Sequence, residues 1–468
     1  MSALAVLGTS SWAGKSLLTT ALARWFARRG TRVAPFKAHN MSNNARVVAG
    51  GEIGAAQYLQ ALAAGIEPDV RMNPVLTKPE GDERSQVVIA GRVDEALSAM
   101  PWRDRSSRTR AAVEEAFASL RADYDLILIE GAGSPAEINL VDSDVANVRM
   151  LELAGASALI VCDIDRGGAF AHLFGTWALL EPPARARVGG FVLNRFRGDA
   201  SLLASGPRRL EEMTGVPTVG VVPMLRHDLP DEDGADAPVD LPPGAPTVGV
   251  VRYPTASNLD EFRQLRQVTR LRWLDGPTSI EEVDLVILPG SKHVGQDLTW
   301  LRDRAMDRAL RRRAAQGGLI LGICGGMQIL GRRLRDPAGV DVAADGLGLL
   351  PVETTFAPEK LVRRVDVVFP PLPDAWHVLT GVEVRGYEIR HGRSSIDRGA
   401  VIGEDLGVGV GSVLGLSMHG ILEDPMVLKL LFGRAPDRTL EDTFDRLADA
   451  VKDHLDTDRI LSLVGESR

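Results

Sequence analysis

The sequence is poor in cysteine, and this limits the fold classes open to it. Cys162 and Cys324 are the only two cysteines among 468 residues. Two cysteines cannot form the disulfide framework that stabilises small secreted domains. We therefore expect the fold to depend on apolar cores rather than on cross-links, and we expect both thiols to be reduced.

The sequence also lacks a long apolar run and an excess of basic charge. No apolar run approaches the ~18 residues that a membrane span needs, and the N-terminus has no basic segment followed by an apolar one, as export signals do. Acidic residues number 62 and basic residues 54, a balance that disfavours general binding to nucleic acid or membrane surfaces. These absences predict a cytoplasmic protein without nucleic-acid or membrane partners.

An acidic stretch containing several prolines divides the chain. Residues 226–245 show no apolar periodicity, which predicts an interdomain linker. On this basis we expect a domain at residues 1–226, a linker at 227–245, a second domain at 246–433 and a C-terminal helical tail at 434–468.

Short β-rich runs alternate with helical stretches on both sides of this linker. Such alternation is typical of parallel sheets covered by helices on both faces, so we predict two doubly wound α/β domains. The main strand candidates are Arg32–Lys37, Asp125–Glu130, Ala158–Asp163, Val188–Asn194, Thr218–Val222, Thr247–Arg252, Asp284–Leu288, Leu319–Ile323 and Val413–Ser417.

Cys324 ends an apolar run and begins a glycine turn. Residues 318–323 precede it, and Gly325 and Gly326 follow. This order resembles a nucleophile elbow, in which a tight strand-to-helix turn exposes the reactive atom and aims the next backbone N–H groups at the oxyanion. We therefore predict Cys324 as a nucleophile and Gly325 as an oxyanion donor, the alternative being an inert buried thiol. Cys162 has no flanking glycine and is expected in the core.

A glycine-bearing loop follows the first apolar run of the chain. It separates residues 3–7 from a segment whose apolar residues recur at helical spacing. Such a loop cradles phosphate with its backbone N–H groups, while its lysine reaches the β- and γ-phosphates and its serine hydroxyl binds Mg²⁺. The loop is one residue longer between its glycines than the standard pattern, but strand, loop and helix follow in the required order. The predicted ATP contacts are Gly8, Thr9, Gly14, Lys15 and Ser16.

Polar clusters follow three further strands of the first domain, where an open α/β sheet places its ligands. Glu130 ends one of these strands, and with Ser16 it is the predicted Mg²⁺ ligand, because Mg²⁺ takes one or two carboxylates besides phosphate oxygens. Glu52, within a glycine-rich stretch, is a further candidate for the same ion. The predicted residues on the substrate side of this crevice are Lys37, Asn40, Asp163, Asp165 and Arg166.

A nucleophilic thiol needs a base, and the second domain offers His419. This histidine follows a strand candidate far downstream of Cys324, as the histidines of thiolate mechanisms do. A single histidine at a strand end is more often structural, but this one shares its domain with the elbow cysteine. Gly290 lies in a separate glycine turn and is the predicted second oxyanion donor.

The motifs of the two domains resemble two known families. Cys324 in Gly-Ile-Cys-Gly-Gly-Met-Gln, Gly290 in Leu-Pro-Gly-Ser-Lys and His419 in Ser-Met-His-Gly resemble a class I glutamine amidotransferase domain. The first domain resembles the dethiobiotin synthetase group of P-loop ATPases. The fusion of the two in this order is similar to the cobyric acid synthases, over nearly the whole chain and in stretches such as 131–139, 163–168 and 386–389.

This resemblance implies a specific activity. Members of the family amidate the b, d, e and g carboxylates of (adenosyl)cobyrinic a,c-diamide late in cobalamin synthesis, with one ATP and one glutamine for each amide. The expected partner is therefore a corrinoid small molecule, and the expected cofactors are ATP and Mg²⁺, with glutamine as the ammonia donor. The resemblance leaves the oligomeric state open, a homo-oligomer included.

Two positions depart from the wider pattern. Ordinary class I amidotransferases place a glutamate two residues after the histidine, whereas Ile421 stands there and Glu423 lies two residues further on. The resemblance to the cobalamin branch, which lacks that glutamate, implies a Cys-His dyad and leaves open what orients His419. The second departure is Arg390-His391, where the family tends to have His-Met.

Two other functions remain in view from the sequence. A sister enzyme that makes the a,c-diamide has both modules, although the stretch 134–140 argues against it. A nucleotide-dependent regulator or partitioning ATPase with a degenerate second domain would have no glutaminase activity. The pairing of Cys324 with His419 speaks against that alternative.

Overall fold

The computed structural model describes residues 2–79, 85–140, 144–225, 227, 229 and 241–466. We call residues 2–225 the first module and residues 246–433 the second module. Most of the predicted linker, 227–245, lies outside the described residues. Of the helices in the described ranges, none combines the length and the apolar character that crossing a membrane would require.

Parallel strands form the centre of the first module. Its strands are β1 (Ser2–Gly8), β2 (Val33–Phe36), β3 (His39–Met41), β4 (Ala45–Val48), β5 (Gly51–Gly54), β6 (Val75–Pro79), β7 (Ser85–Ile89), β8 (Arg92–Val93), β9 (Leu126–Glu130), β10 (Ser157–Asp163), β11 (Val188–Phe196) and β12 (Thr218–Pro223). Within the described residues the main sheet has the order β12-β11-β10-β1-β9-β2, with every pairing parallel. Strands β3, β6, β7 and β8 form a smaller sheet, and β4 and β5 form a hairpin.

Helices cover both faces of this sheet. They are α1 (Lys15–Arg28), α2 (Ala55–Ala63), α3 (Glu95–Ala99), α4 (Ser106–Asp123), α5 (Val148–Ala154), α6 (Ala169–Leu179), α7 (Pro182–Arg185) and α8 (Gly206–Thr214). Successive strand residues point to opposite faces, so Ala5 and Leu7 of β1 join one apolar cluster while Leu4 and Val6 join the other. Burial on both faces explains why the central strands are apolar throughout.

The second module repeats this architecture with an antiparallel extension. Its strands are β13 (Thr247–Val251), β14 (Ala256–Ser257), β15 (Arg270–Leu274), β16 (Leu285–Leu288), β17 (Gly290–Ser291), β18 (Leu319–Ile323), β19 (Arg333–Arg335), β20 (Ala344–Asp345), β21 (Val352–Val368), β22 (Glu383–Ile396), β23 (Ala400–Ile402), β24 (Gly407–Val410) and β25 (Val413–Leu416). Its helices are α9 (Val294–Asp303), α10 (Met306–Ala315), α11 (Gly325–Leu330) and α12 (Pro425–Phe432). The main sheet has the order β15-β13-β16-β18-β25-β24-β23, and β24 joins β25 and β23 antiparallel.

The C-terminal segment folds back onto the first module. Helix α13 (Leu440–His454) begins with a capping box between Thr439 and Asp442, and α14 (Thr457–Leu463) follows it. Phe444 lies in the same apolar cluster as Leu22 of α1. Both helices therefore belong to the described fold, and the first module's core contains residues from both ends of the chain.

The prediction of two doubly wound α/β domains is confirmed. Each strand candidate from the sequence coincides with an observed strand to within two residues at either end. The sequence did not predict the long hairpin of β21 and β22, in which buried and partly exposed residues alternate along the first part of β21 and most of β22.

Candidate active sites

Cys324 occupies a strained turn between β18 and α11. Its backbone has φ 51° and ψ −107°, a conformation that residues with a side chain rarely adopt. The Cys324 N–H donates to the carbonyl oxygen of Leu416 at 2.6 Å, which fixes the turn to the neighbouring strand. Strain of this kind is typical of a nucleophile elbow, where it exposes the reactive atom at the top of the sheet.

The two glycines after Cys324 are required by close backbone contacts. A Cβ at Gly326 would lie 1.9 Å from the carbonyl oxygen of Leu288, and one at Gly325 would lie 2.7 Å from the backbone nitrogen of Ser291. Two separate turns are thus packed against each other with no room for side chains. The structure therefore places the Gly290 turn beside the elbow, as expected if Gly290 and Gly325 both serve one oxyanion.

His419 completes the cluster of predicted residues in the second module. It is buried just after β25, close enough to Cys324 for that side chain to raise its pKa. A Cβ at Gly290 would lie 2.9 Å from Cε1 of His419. The structure thus brings together Cys324, His419, Gly290 and Gly325, although their catalytic roles stay predictions.

A buried carboxylate that sequence analysis missed contacts the Nδ1 atom of His419. Oε1 of Glu261 lies 3.0 Å from Nδ1 of His419, and its Oε2 accepts a hydrogen bond from the Gly420 N–H at 3.1 Å. Glu261 is fully buried. The sequence left open what orients His419, and the structure places Glu261 against its Nδ1, a position that Ile421 cannot fill.

The charge of Glu261 changes the protonation of His419. Burial on its own would lower the pKa of His419. The charges of Glu261 and Cys324, together with hydrogen bonds to both, outweigh burial and raise this pKa to about 10. His419 is therefore suited to hold a proton beside a Cys324 thiolate at neutral pH.

The loop predicted to bind phosphate lies between β1 and α1. Gly8 ends β1, and the backbone N–H of Thr9 donates to the carbonyl oxygen of Val161 at 2.9 Å. Gly14 has φ 98°, and a Cβ there would lie 1.9 Å from the side-chain nitrogen of Asn194. Only glycine meets both conditions, so the loop stays tight enough to present its N–H groups at the start of α1.

Lys15 and Ser16 begin α1 and point into the same crevice. Nζ of Lys15 donates to the carbonyl oxygens of Ser10 at 2.9 Å and Gly133 at 3.0 Å. Oγ of Ser16 donates to Oε1 of Glu130 at 2.8 Å. The lysine thus spans the loop, and the serine hydroxyl meets the carboxylate that ends β9.

Glu130 is buried in the crevice at the centre of a group of donors. Nζ of Lys37 lies 2.8 Å from its Oε1, and the side-chain amide of Gln60 donates to its Oε2. Burial would raise the pKa of Glu130, but the charge of Lys37 and these hydrogen bonds lower it. An ionised carboxylate next to the Ser16 hydroxyl is the oxygen set that Mg²⁺ prefers, so the residues fit the predicted ion.

The other predicted crevice residues lie past the strand ends but pair separately. Asn40 donates to Gln57 at 2.9 Å. The remaining contacts join Asp163 to Arg166 at 3.4 Å and to Arg195 at 3.2 Å, and Asp165 to Arg197 at 3.1 Å. Lys37 is the one of the five that directly contacts Glu130 among the described residues. Their roles toward a substrate stay predictions.

The carboxylate of Glu52, the further candidate for this ion, pairs with two lysines, and its role as a Mg²⁺ ligand stays a prediction. Its carboxylate is buried at the module boundary, where Oε1 accepts from Lys360 at 2.7 Å and Oε2 pairs with Lys78. Burial would raise the pKa of Glu52, but the two ammonium charges lower it. Both oxygens are thus occupied by ion pairs, one of which joins the two modules.

Arg390 and His391, the second departure from the family pattern, contact residues of the surrounding fold. Arg390 is buried and donates to Glu388 and to Asp405, each at 2.7 Å. Nδ1 of His391 lies 3.1 Å from the carbonyl oxygen of Pro358. Neither residue contacts the side chains of Cys324 or His419 in the described hydrogen bonds.

Comparison with known proteins matches both modules. The family model described as the CobQ/CobB/MinD/ParA nucleotide binding domain matches residues 4–233, and that of the CobB/CobQ-like glutamine amidotransferase domain matches residues 247–426. A protein named cobyric acid synthase from Polaromonas sp. (strain JS666) is 52% identical, over 98% of this chain and 97% of that relative. Another of the same name from Variovorax paradoxus (strain S110) is 54% identical, over 98% of each chain.

These matches span both modules in the order that the sequence predicted. The first module carries a nucleotide-binding domain, and the second carries a glutamine amidotransferase domain. The chain belongs to the cobyric acid synthase family.

Proposed function

We propose that this chain is a cytoplasmic, glutamine-hydrolysing and ATP-dependent amide ligase that converts the b, d, e and g carboxylates of (adenosyl)cobyrinic a,c-diamide to amides. The observation that carries this proposal is the presence, in one chain, of a thiol-imidazole-carboxylate set and a separate phosphate loop facing a buried glutamate. The first set suits release of ammonia from glutamine. The second suits activation of a carboxylate, and near-full-length identity to cobyric acid synthases supports the corrinoid substrate.

Residues 246–433 carry out the glutaminase half of this reaction. The Cys324 thiolate attacks the side-chain amide carbon of glutamine, and backbone N–H groups at Gly290 and Gly325 stabilise the oxyanion. His419 gives its proton to the departing nitrogen, so the C–N bond breaks and ammonia leaves a glutamyl thioester. Water then hydrolyses the thioester, and Glu261 keeps the imidazole oriented throughout.

Residues 1–226 carry out the ligase half. A corrinoid carboxylate attacks the γ-phosphorus of ATP in line, ADP leaves, and ammonia converts the resulting acyl phosphate to an amide with release of phosphate. Lys15 balances charge on the transferring group, and the loop N–H groups orient the phosphates. Ser16 and Glu130 would hold Mg²⁺, which neutralises phosphate charge when bound.

Product mass tests this proposal directly. Cobyrinic a,c-diamide as the limiting substrate, with ATP and glutamine, should lose about one mass unit per carboxylate converted, in four successive steps. Each step should consume about one ATP, because each amide needs its own activated acyl group. An end point after two amidations of unamidated cobyrinic acid would instead identify the a,c-diamide enzyme, and no mass change with either corrinoid would refute the proposal.

A further inference from the structure

A buried arginine of the first module contacts residues of the second module that adjoin the proposed glutaminase site. Arg46 lies in β4 and is nine-tenths buried or more. Its guanidinium donates to Oη of Tyr387 at 3.0 Å and forms ion pairs with Asp260 and Glu423. All three partners belong to the second module. One side chain of the first module therefore holds three polar groups of the second.

These partners adjoin the residues proposed to hydrolyse glutamine. The Tyr387 ring stacks on the His419 imidazole, with centroids 5.3 Å apart and planes 20° apart. The two residues also exchange backbone hydrogen bonds, of 2.8 Å from the His419 N–H and 3.2 Å from the Tyr387 N–H. Asp260 immediately precedes Glu261. Arg46 thus contacts Tyr387, which stacks on the His419 imidazole, and Asp260, the sequence neighbour of Glu261.

Two more hydrogen bonds fasten the same segment to the first module. The Asn258 side chain donates to the carbonyl oxygen of Ala45 at 3.0 Å, and the Leu259 N–H donates to the Asn44 side chain at 3.2 Å. The segment carrying Glu261 therefore rests on consecutive residues of the first module. A segment held in this way has little freedom to move Glu261 independently of β4.

The other end of the β4-β5 hairpin leads to the phosphate crevice. Strand β5 ends at Gly54, and α2 begins at the next residue. Gln60 of α2 donates to Glu130, the proposed Mg²⁺ ligand. A continuous run of backbone thus joins the arginine behind His419 to the helix that contacts Glu130.

We propose that Arg46 is a positioning residue through which the first module holds Glu261 and His419 in their working geometry. This inference rests on the proposed function. A buried guanidinium with several fixed acceptors keeps those acceptors at defined positions, and a displacement of about 1 Å in a supporting group can cost about 100-fold in rate. Glutamine hydrolysis then depends on the contact between modules, whereas the phosphate loop does not need Arg46.

The test compares two nitrogen sources in the full-length protein. Arg46→Met should lower glutamine-driven kcat about tenfold or more, with KM for glutamine changed less than about twofold. Amidation driven by high ammonium should stay near the wild-type rate, which also shows that the variant is folded. Arg46→Lys should recover part of the loss, because it restores charge but not the fork of donors.

A matched control and a milder variant complete the design. Glu67→Ala breaks an exposed ion pair to Arg364, also between modules but from a residue with no described hydrogen bond to Tyr387, Glu261 or His419, and should change neither activity. Tyr387→Phe removes the hydroxyl that Arg46 contacts and keeps the stacked ring. It should lower glutamine-driven kcat about threefold. If Arg46→Met does not fold, this variant decides the question.

The outcomes separate this inference from the proposed function. Glutamate release and labelling of Cys324 by a diazoketone analogue of glutamine need no corrinoid, so they report the positioning role even if the corrinoid assay fails. Slower labelling in Arg46→Met supports the inference. Unchanged glutamine-driven kcat in Arg46→Met, or in Tyr387→Phe where the former does not fold, would overturn it. So would an equal loss of ammonium-driven turnover.

Discussion

Glu261→Gln tests the carboxylate that supports His419 with almost no change of shape. Glu261 accepts hydrogen bonds from two donors, Nδ1–H of His419 and the N–H of Gly420. A glutamine side chain has one acceptor oxygen and one donor NH₂ group, so it cannot satisfy both. Either a buried N–H is left facing another donor, or His419 changes tautomer and can no longer take a proton from Cys324.

The structure sets the expected size of the loss. Opposite unit charges 3.0 Å apart attract by about 5 kcal/mol at an effective dielectric constant of about 20. If about half of this stabilisation serves the imidazolium in the transition state, glutamine-driven kcat should fall about 100-fold. Loss through the wrong tautomer acts in the same direction and reaches about 10⁴-fold in the serine protease triad.

The assay is glutamine-driven amidation measured across pH, beside amidation driven by ammonium. Burial lowers the pKa of His419, but Glu261 and Cys324 together raise it to about 10, so the imidazolium proton is kept through neutral pH and lost only in alkali. Without the Glu261 charge this pKa falls, and the alkaline limb of glutamine-driven kcat should move to lower pH. Glu281→Gln, an exposed carboxylate paired with Arg312, serves as the control. A wild-type kcat and an unmoved alkaline limb in Glu261→Gln, with Glu281→Gln also unchanged, would refute the reasoning.

Two further substitutions test the division of labour between modules. Cys324→Ser should abolish glutamine-driven amidation and retain ammonium-driven amidation, because the hydroxyl cannot match the thiolate as a nucleophile while the ligase half is intact; loss of both activities in a folded variant would contradict this division. Lys15→Ala should abolish amidation from either nitrogen source, because the transferring phosphoryl group loses its balancing charge, and Cys324 should still react with the diazoketone analogue. Persistent ammonium-driven turnover in Lys15→Ala would show that ATP is activated elsewhere.

Local patterns were enough to predict the parts of this structure that depend on neighbours in sequence. The elbow at Cys324 and the loop before Ser16 are each a strand, a turn and a helix start within about fifteen residues, so their order is visible in the chain. The same holds for the central strands, whose apolar runs follow from burial on both faces of a sheet. These elements agree with the prediction because residues close together in sequence determine each of them.

Glu261 and Glu52 show where local reasoning ends. Glu261 lies 158 residues before His419 in sequence, and the packing of the turn after β14 against the segment that follows β25 brings their side chains together. Glu52 stands among glycines, a context that resembles a ligand loop. In the structure Ala49 and Gly50 form the turn of the β4-β5 hairpin, and Gly51 and Glu52 already lie in β5. The carboxylate oxygens of Glu52 form ion pairs with Lys78 and with Lys360, and Lys360 belongs to the second module.

The position of Glu261 links the two modules more closely than a triad contained in one domain would. In ordinary class I amidotransferases the glutamate follows the histidine by two residues, so it depends on the glutaminase domain alone. In this chain Ile421 stands there, and the carboxylate comes from the segment that rests on Asn44, Ala45 and Arg46. Any shift of the β4-β5 hairpin is therefore transmitted to Glu261. The same hairpin runs into the helix that carries Gln60 to Glu130, so one continuous stretch of backbone contacts both candidate sites.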